Sequence, residues 1–241
     1  MRQWWILRVS SRVMLWQLRM LPSSLIRSSC LSHGFFLVTN HKVDAYLIQL
    51  AYDHVDHLFN LPIEEKIKVV YQKYNEAMHG LALSIMELLA IGLGVDRMLY
   101  REFFEDAVSV MRTNLYPTCQ EPNLSLGTGP HCDSNALTIL HQDLVGGLDV
   151  FVDNKWQKVR PIPGALVINI GGVFAALSNG IYRSSLHRAV VNSHKERRSS
   201  VFFMCPRADK LVKLAEELVP TSEGAQESFR ISHGQIYSKL L

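Results

Sequence analysis

Residues 136–170 read ALTILHQDLVGGLDVFVDNKWQKVRPIPGALVINI, and their pattern predicts a mainly β fold. Short runs rich in apolar and β-branched residues alternate with glycine, proline, aspartate and asparagine, which is typical of strands separated by turns. The segment around Asp153-Asn154-Lys155 predicts a tight hairpin between two of the runs. The predicted strands in this stretch are Ala136–His141, Leu148–Val152, Trp156–Arg160 and Ala165–Ile170.

The same strand-like pattern extends to both sides of this stretch, over Val108–Tyr116, His187–Val191 and Ser200–Met204. Earlier in the chain, Phe35–Thr39 predicts one buried strand. Two helical patterns follow it, one beginning after an N-cap at Asp44 and reaching Phe59, the other spanning Ile63–Ile91 with one buried and one solvated face. Helices that precede many short strands, rather than alternating with them, predict an α+β protein whose mainly β core is a jelly roll or barrel with helices packed outside.

Composition limits the function classes. A chain of 241 residues suits one catalytic domain, and a formal net charge of +3 is too small to indicate a nucleic-acid partner. The four cysteines form no CxxC pair, which favours reduced thiols and a cytoplasmic protein. The sequence contains no run of about eighteen uninterrupted apolar residues, the length that would predict a membrane span. We expect a monomer that binds a small molecule.

The first 25 residues form a basic leader whose role the sequence leaves open. Met1 to Lys42 contains no acidic residue, while arginines and tryptophans are interspersed among leucines and valines. A basic, acid-poor, amphipathic start resembles an organelle transit peptide. The alternative is a leader that precedes the domain and is unrelated to it.

His131 and Asp133 are candidate metal ligands. They are two residues apart, so on an extended segment their side chains point to one face and Cys132 points to the other. His187 follows 54 residues after Asp133, far enough for intervening strands to return it to the same place. Two imidazoles and one carboxylate suit a non-haem Fe(II) oxygenase. With ten histidines in the chain, a chance spacing is the alternative.

Arg197 and Ser199 are candidate ligands for a carboxylate. The guanidinium of Arg197 offers two parallel donors and the hydroxyl of Ser199 adds a third, a set that suits the distal carboxylate of a dicarboxylic cosubstrate. Both residues lie on the run that enters the strand Ser200–Met204. A solvated basic turn is the alternative, since Lys195, Arg197 and Arg198 are clustered.

Successive blocks of the chain resemble the plant 2-oxoglutarate-dependent dioxygenases. In order, they are Asn114-Leu115-Tyr116-Pro117-Thr118-Cys119, Gly129-Pro130-His131-Cys132-Asp133, Gly146-Gly147-Leu148, Asn169-Ile170-Gly171, Ser178-Asn179-Gly180, His187-Arg188-Ala189-Val190-Val191-Asn192 and Arg197-Arg198-Ser199. The segments Leu126–Asp133 and Phe202–Pro206 are most similar to gibberellin 20-oxidases.

This resemblance implies a double-stranded β-helix (jelly roll) and a set of site residues. His131, Asp133 and His187 match the iron ligands, and no catalytic residue is implied beyond that metal centre. Arg197 and Ser199 match the pair that binds 2-oxoglutarate. The cofactors implied are Fe(II), 2-oxoglutarate as cosubstrate and O₂. The residues matching further polar groups around the cosubstrate are Asn114 and Tyr116, although Tyr116 is equally readable as an aromatic packed beside Pro117.

The resemblance is uneven along the chain and divides it into four parts. Residues 26–107 form an incomplete helical region, because several dozen residues of full-length relatives are skipped between Lys68 and Tyr71. Residues 108–212 form the jelly-roll domain. The basic leader at 1–25 and a divergent tail at 213–241 replace the usual ends.

The functional hypotheses follow from that division. The first is an active oxygenase that oxidises a small hydrophobic acid, a diterpenoid precursor in gibberellin biosynthesis. The second is a truncated, impaired member that still binds metal and 2-oxoglutarate. The third is a related dioxygenase of plant specialised metabolism, and the fourth is a non-catalytic β-barrel binding module.

Overall fold

A computed structural model describes residues 6–8, 23–53, 65–212 and 214–218. The helices are α1 (Ser23–Ser32), α2 (Ala45–Asp53), α3 (Glu65–Leu93), α4 (Leu99–Phe103) and α5 (Gly172–Leu177). The strands are β1 (Ile6–Arg8), β2 (Phe35–Thr39), β3 (Val108–Tyr116), β4 (Leu126–His131), β5 (Leu137–Gln142), β6 (Leu148–Val152), β7 (Lys155–Val159), β8 (Leu166–Ile170), β9 (His187–Val190) and β10 (Arg197–Cys205).

Two sheets face each other to form the predicted jelly roll. The larger has the order β1-β2-β8-β5-β10-β3 and the smaller β4-β9-β6-β7. Neighbours pair antiparallel throughout, apart from the parallel pair β1 and β2. The predicted hairpin joins β6 to β7, where Asp153 and Asn154 both have positive φ (51° and 57°), as its tight turn requires. The mainly β architecture with preceding helices is confirmed.

Strand β4, which carries His131, has no counterpart among the predicted strands. Its sequence, LGTGPH, contains two glycines and a proline, residues that ordinarily indicate a turn. Pairing with β9 holds it extended despite two register shifts, one on each side of Thr128. Tertiary pairing here overrides local propensity.

Strand β10 is longer than predicted and begins at Arg197 rather than Ser200. The extension follows from pairing with β3, where Arg197 lies opposite Tyr116 and Ser199 opposite Asn114. The candidate carboxylate ligands therefore lie inside a strand and not on a solvated basic turn.

The larger sheet contains strands from three of the four parts into which the sequence divided the chain. β2 pairs with β8 of the jelly roll, and Ile6–Arg8 of the basic leader pairs in parallel with β2. An unpaired edge of β2 would expose backbone donors and acceptors, and β1 satisfies them. The predicted boundary at residue 108 thus separates strands that share one sheet.

Helix α3 matches its predicted span within two residues and continues without a break through residues 68–71. The prediction that one face of this helix is solvated along its whole length was wrong, because every residue from Leu81 to Ala90 is buried. The carboxylate of Glu87 is buried there and accepts a hydrogen bond from Arg101 at 2.9 Å. By length and composition, Val70–Leu93 is apolar enough to cross a membrane, yet 72% of its apolar window is buried in this fold.

The predicted N-cap of α2 is present, since Asp44 Oδ1 accepts the backbone N–H of Tyr46 at 2.8 Å. Residues 54–64, which would include the predicted end of that helix, lie outside the described residues, as does the tail from 219 onward. The four cysteines are free, as expected.

Acid is expected to destabilise the metal-free protein. Burial lowers the pKa of His33, His41 and His141 below the ordinary value of 6.5. Below about pH 6.5 the unfolded chain binds protons that the folded chain does not, so the free energy of unfolding falls with falling pH. Urea unfolding at several pH values between about 5 and 8 measures this slope. The variant His141→Gln should show a shallower slope, and a stability that rises towards pH 5 would contradict the prediction.

Candidate active site

The structure brings the three predicted metal ligands together. His131 ends β4, His187 begins β9 directly opposite it, and Asp133 follows β4 by two residues. Asp133 Oδ1 lies 3.6 Å from His131 Nε2 and 3.8 Å from His187 Nε2, and one ligand atom from each residue lies within 4.8 Å of the others. No other group of three potential ligands converges in this way among the described residues.

Hydrogen bonds orient both imidazoles. His131 Nδ1 lies 2.8 Å from the Gly129 carbonyl oxygen, and His187 Nδ1 lies 3.0 Å from that of Ser185. A carbonyl only accepts, so each Nδ1 carries the proton and each Nε2 presents its lone pair to the centre of the group. Burial lowers the pKa of His187 and favours the neutral form that binds metal.

The carboxylate of Asp133 is fixed from behind. Thr138 Oγ1 donates to Asp133 Oδ2 at 2.6 Å, which leaves Oδ1 directed at the imidazoles. Asn135 Nδ2 in turn donates to Thr138 Oγ1 at 3.0 Å, and the N–H of Gly172 donates to the carbonyl of Asp133 at 2.8 Å. Two neutral nitrogens and one oriented carboxylate oxygen form a donor set that fits Fe(II).

Thr138 was not predicted from the sequence, and its removal is expected to weaken metal binding. Thr138→Val keeps the shape but removes the donor to Asp133, so we expect Fe(II) affinity to fall by roughly 10- to 100-fold. It also leaves a buried carboxylate oxygen unpaired, at a cost of about 1–3 kcal/mol in the free energy of unfolding. Anaerobic Fe(II) titration and urea unfolding measure the two effects. Thr138→Ser, which retains the hydroxyl, should restore most of the affinity, and equal affinity in both variants would contradict the role.

Arg197 and Ser199 lie in the same cavity as the metal ligands. Only 2% of Arg197 is exposed, and its pKa is lowered by burial. Arg197 Nη2 donates to Gln142 Oε1 at 3.2 Å, whereas its buried Nε has no hydrogen-bond partner among the described residues. An orphaned guanidinium donor in a buried cavity fits an anionic group of a ligand, here a carboxylate.

Tyr116 and Asn114 flank this pair. The Arg197 guanidinium carbon lies 5.1 Å from the centre of the Tyr116 ring, and Tyr116 Oη lies 3.2 Å from Thr128 Oγ1. Asn114 Nδ2 donates to Ser199 Oγ at 3.3 Å. Gly127 allows the approach, because a Cβ atom there would lie 2.5 Å from the Tyr116 ring. Tyr116 therefore faces the cavity, which favours the first of its two interpretations.

Three glycines in turns adopt positive φ, a conformation that glycine takes more readily than other residues. Gly146, Gly147 and Gly180 have φ of +87°, +100° and +71°. Gly147 also packs against the site, since a Cβ atom there would lie 2.6 Å from the Val190 carbonyl oxygen and 3.1 Å from Arg197 Cδ.

The cavity is lined by several polar residues that the sequence interpretation missed. Part of the signal was present on β3, where Arg112, Asn114 and Tyr116 recur at every second position and so line one face of the strand. The missed cavity residues are Arg112, Thr128, Thr138, Asn169 and Arg188. The sequence interpretation also missed Gln142, which accepts a hydrogen bond from Arg197.

Two family models match the chain. One, described as the 2OG-Fe(II) oxygenase superfamily, covers residues 107–206, and the other, the N-terminal model of a non-haem dioxygenase in morphine synthesis, covers residues 19–116. Gibberellin 20 oxidase 3 of Arabidopsis thaliana is 45% identical over an alignment of 255 residues, gaps included. The alignment covers 81% of this chain and 67% of the relative. The chain belongs to the 2OG-Fe(II) oxygenase superfamily.

A second gibberellin 20 oxidase is similar to this chain to the same extent. Gibberellin 20 oxidase 2 of Oryza sativa subsp. indica is 45% identical over 246 residues, which cover 78% of this oxygenase and 63% of the relative. The oxygenase thus spans about two thirds of the length of these relatives. The aligned part of each relative is longer than the aligned part of this chain, so relatives contain segments with no counterpart here.

Solved structures of the superfamily have the same fold. The crystal structure of JOX2 in complex with 2OG, Fe and JA matches with a TM-score of 0.80 and 30% identity, covering 90% of this oxygenase and 78% of that chain. A putative 2OG-Fe(II) oxygenase from Caulobacter crescentus matches with a TM-score of 0.83 at 20% identity, covering 98% and 97% of the two chains, and supports the fold alone.

Proposed function

We propose that this chain is a 2-oxoglutarate- and Fe(II)-dependent oxygenase that oxidises a diterpenoid acid, a gibberellin precursor, in the manner of gibberellin 20-oxidases. The observation that carries the proposal is the joint presence, in one cavity, of the His131–Asp133–His187 donor set and the buried, partly unpartnered guanidinium of Arg197. The 45% identity to gibberellin 20 oxidases supports the substrate class.

The metal would be held by three atoms whose orientation the protein sets in advance. They are Nε2 of His131, Nε2 of His187 and Oδ1 of Asp133. With 2-oxoglutarate and O₂, bound Fe(II) supplies the oxidant that attacks an unactivated C–H bond. The Gly129 and Ser185 carbonyls orient both imidazoles with Nε2 towards the centre of the group, and the Thr138 hydroxyl keeps the carboxylate aligned.

The cosubstrate would be held by its distal carboxylate at Arg197 and Ser199. Arg197 contributes its free Nε–H and Ser199 its hydroxyl, while Gln142, Tyr116 and Asn114 keep the two side chains in place. Apolar residues on the neighbouring strands, such as Leu140 and Val201, line the same cavity and limit the entry of water.

Product analysis tests the proposal. The purified chain is incubated with Fe(II), 2-oxoglutarate, O₂ and a gibberellin precursor acid, and both succinate and oxidised diterpenoid are measured. One succinate is expected for each oxidation step that the diterpenoid undergoes. The variant His131→Ala, which removes one ligand, should form neither, and oxidation that persists in His131→Ala would overturn the ligand assignment.

A second candidate is an impaired family member that binds metal and 2-oxoglutarate without oxidising a hormone precursor. The shorter span relative to the gibberellin 20 oxidases favours it, because segments of those relatives have no counterpart in this chain. Succinate formed without any oxidised diterpenoid would support this second candidate. Transcript sequencing across codons 68–71 tests the predicted position of the missing segment.

The proposal extends to the setting of the reaction. We infer a cytoplasmic, monomeric protein that acts on a small molecule and has neither a nucleic-acid nor a membrane partner. The modest net charge of +3 and the burial of the apolar helix α3 support this inference. Cell fractionation and the mass of the purified protein in solution test it.

A further inference from the structure

Arg112 is a cation without a partner at the mouth of the cavity. It makes no hydrogen bond or ion pair with any residue in the described part of the chain, and it is exposed. It lies on β3 two residues before Asn114 and four before Tyr116, so the three side chains share the cavity face of that strand. Arg112 is therefore on the same wall as the groups around Arg197.

Of the two other arginines of the cavity, Arg188 is ion-paired with Asp149, and Arg197 is assigned to the cosubstrate carboxylate. Arg188 donates from Nε and Nη2 to Asp149 Oδ2, at 3.1 and 3.0 Å, and lies 4.3 Å from the centre of the Trp156 ring. Arg197 bonds to Gln142 and is buried at the opposite end of the shared wall. Arg112 is opposite Val201 on β10, four residues along β3 from the Arg197–Tyr116 pair, so its charge is separate from the proposed cosubstrate anchor.

A groove leads from the cavity along β3 and β4, and Arg112 lines both. Of the described residues along this groove, Arg112 alone carries a charge. Apolar residues in the wall include Val191 and Leu126, which is 46% exposed, whereas Leu115 lies on the other face of β3 from Arg112. A partly apolar wall with one free guanidinium is complementary to an apolar molecule that carries a carboxylate.

We propose that Arg112 binds the carboxylate of the substrate acid, with the apolar body of that acid lying against the groove wall. This inference rests on the proposed function and deepens it, because the bound acid would lie in the cavity that contains the metal ligands. Arg112 is then a binding residue that selects acids over neutral relatives of the same shape. A guanidinium suits this task because it keeps its charge and offers two parallel donors to a carboxylate.

Binding measurements test this assignment without relying on turnover. The full chain is loaded anaerobically with Fe(II) and 2-oxoglutarate, and equilibrium dialysis gives the dissociation constants of a gibberellin precursor acid and of its methyl ester. We expect the acid to bind about 10- to 100-fold more tightly than the ester, the range expected for a charge-assisted contact. Arg112→Gln should remove this preference and leave ester binding unchanged, and Arg112→Lys should keep part of it.

Arg160→Gln provides the matched control, because Arg160 is exposed and lies outside both the cavity and the groove. It should bind like the original protein. An undiminished preference for the acid in Arg112→Gln, no preference in the original protein, or tighter binding of a straight-chain fatty acid would each overturn the assignment. Failure of the proposed function looks different: the acid binds through Arg112, yet no oxidised product forms when O₂ is admitted.

Discussion

Replacing Asp133 with asparagine is expected to lower Fe(II) affinity by roughly 100-fold or more and to abolish oxidation, since losses outside the ligand shell alone cost about 10- to 100-fold. The amide keeps the shape of the side chain but removes the single negative charge of the donor set. Asp133 is 7% exposed, so water screens the attraction between its carboxylate and a bound cation only weakly.

The same substitution should not destabilise the metal-free protein. A buried carboxylate carries a desolvation cost that an asparagine largely avoids, and the amide oxygen of asparagine can still accept the hydrogen bond from Thr138. Thermal unfolding with and without Fe(II) separates the effects: the original protein should gain stability with added metal, and Asp133→Asn should not. Asp153→Asn, in the exposed hairpin turn, is the matched control and should respond to Fe(II) like the original protein. A metal-dependent gain in Asp133→Asn would show that Asp133 is not a ligand.

Replacing Arg197 with lysine is expected to raise the dissociation constant of 2-oxoglutarate by about 10- to 100-fold while Fe(II) binding stays unchanged, because paired charge-assisted hydrogen bonds are lost. Lysine retains the positive charge but not the planar set of donors. In the structure, Arg197 uses Nη2 to hold Gln142 and keeps Nε free, a division that an ammonium group cannot reproduce. Anaerobic titration of the Fe(II)-loaded protein with 2-oxoglutarate, followed by its visible charge-transfer absorption, measures the change.

The neighbouring residue provides the control for this prediction. Arg198 ion-pairs with Glu196, and Arg198→Lys should leave 2-oxoglutarate affinity unaltered. Ser199→Ala removes one neutral donor and is expected to have a smaller effect, about 3- to 10-fold. Similar affinities for Arg197→Lys and Arg198→Lys would show that the cosubstrate carboxylate binds elsewhere.

Local sequence determined the elements whose stability is local. The Asp153-Asn154 turn specifies its hairpin because both residues tolerate positive φ, and Gly94 ends α3 because its own φ of +80° lets Val95 and Gly94 donate back to Ala90 and Ile91. The two-residue spacing of His131 and Asp133 likewise placed both ligands on one face. These features depend on neighbours in the chain, so the sequence displays them directly.

The tertiary structure alone decided which distant groups meet and which stay free. Strand β4 is extended because β9 pairs with it, and β10 reaches Arg197 because β3 pairs with it, so neither follows from composition. Three arginines on cavity-facing strands look alike in the sequence. Long-range pairing buries Arg197, neutralises Arg188 with Asp149 and leaves Arg112 open to a ligand. The reason is physical: hydrogen-bond partners and burial are set by strand register across the two sheets, which no short window of sequence contains.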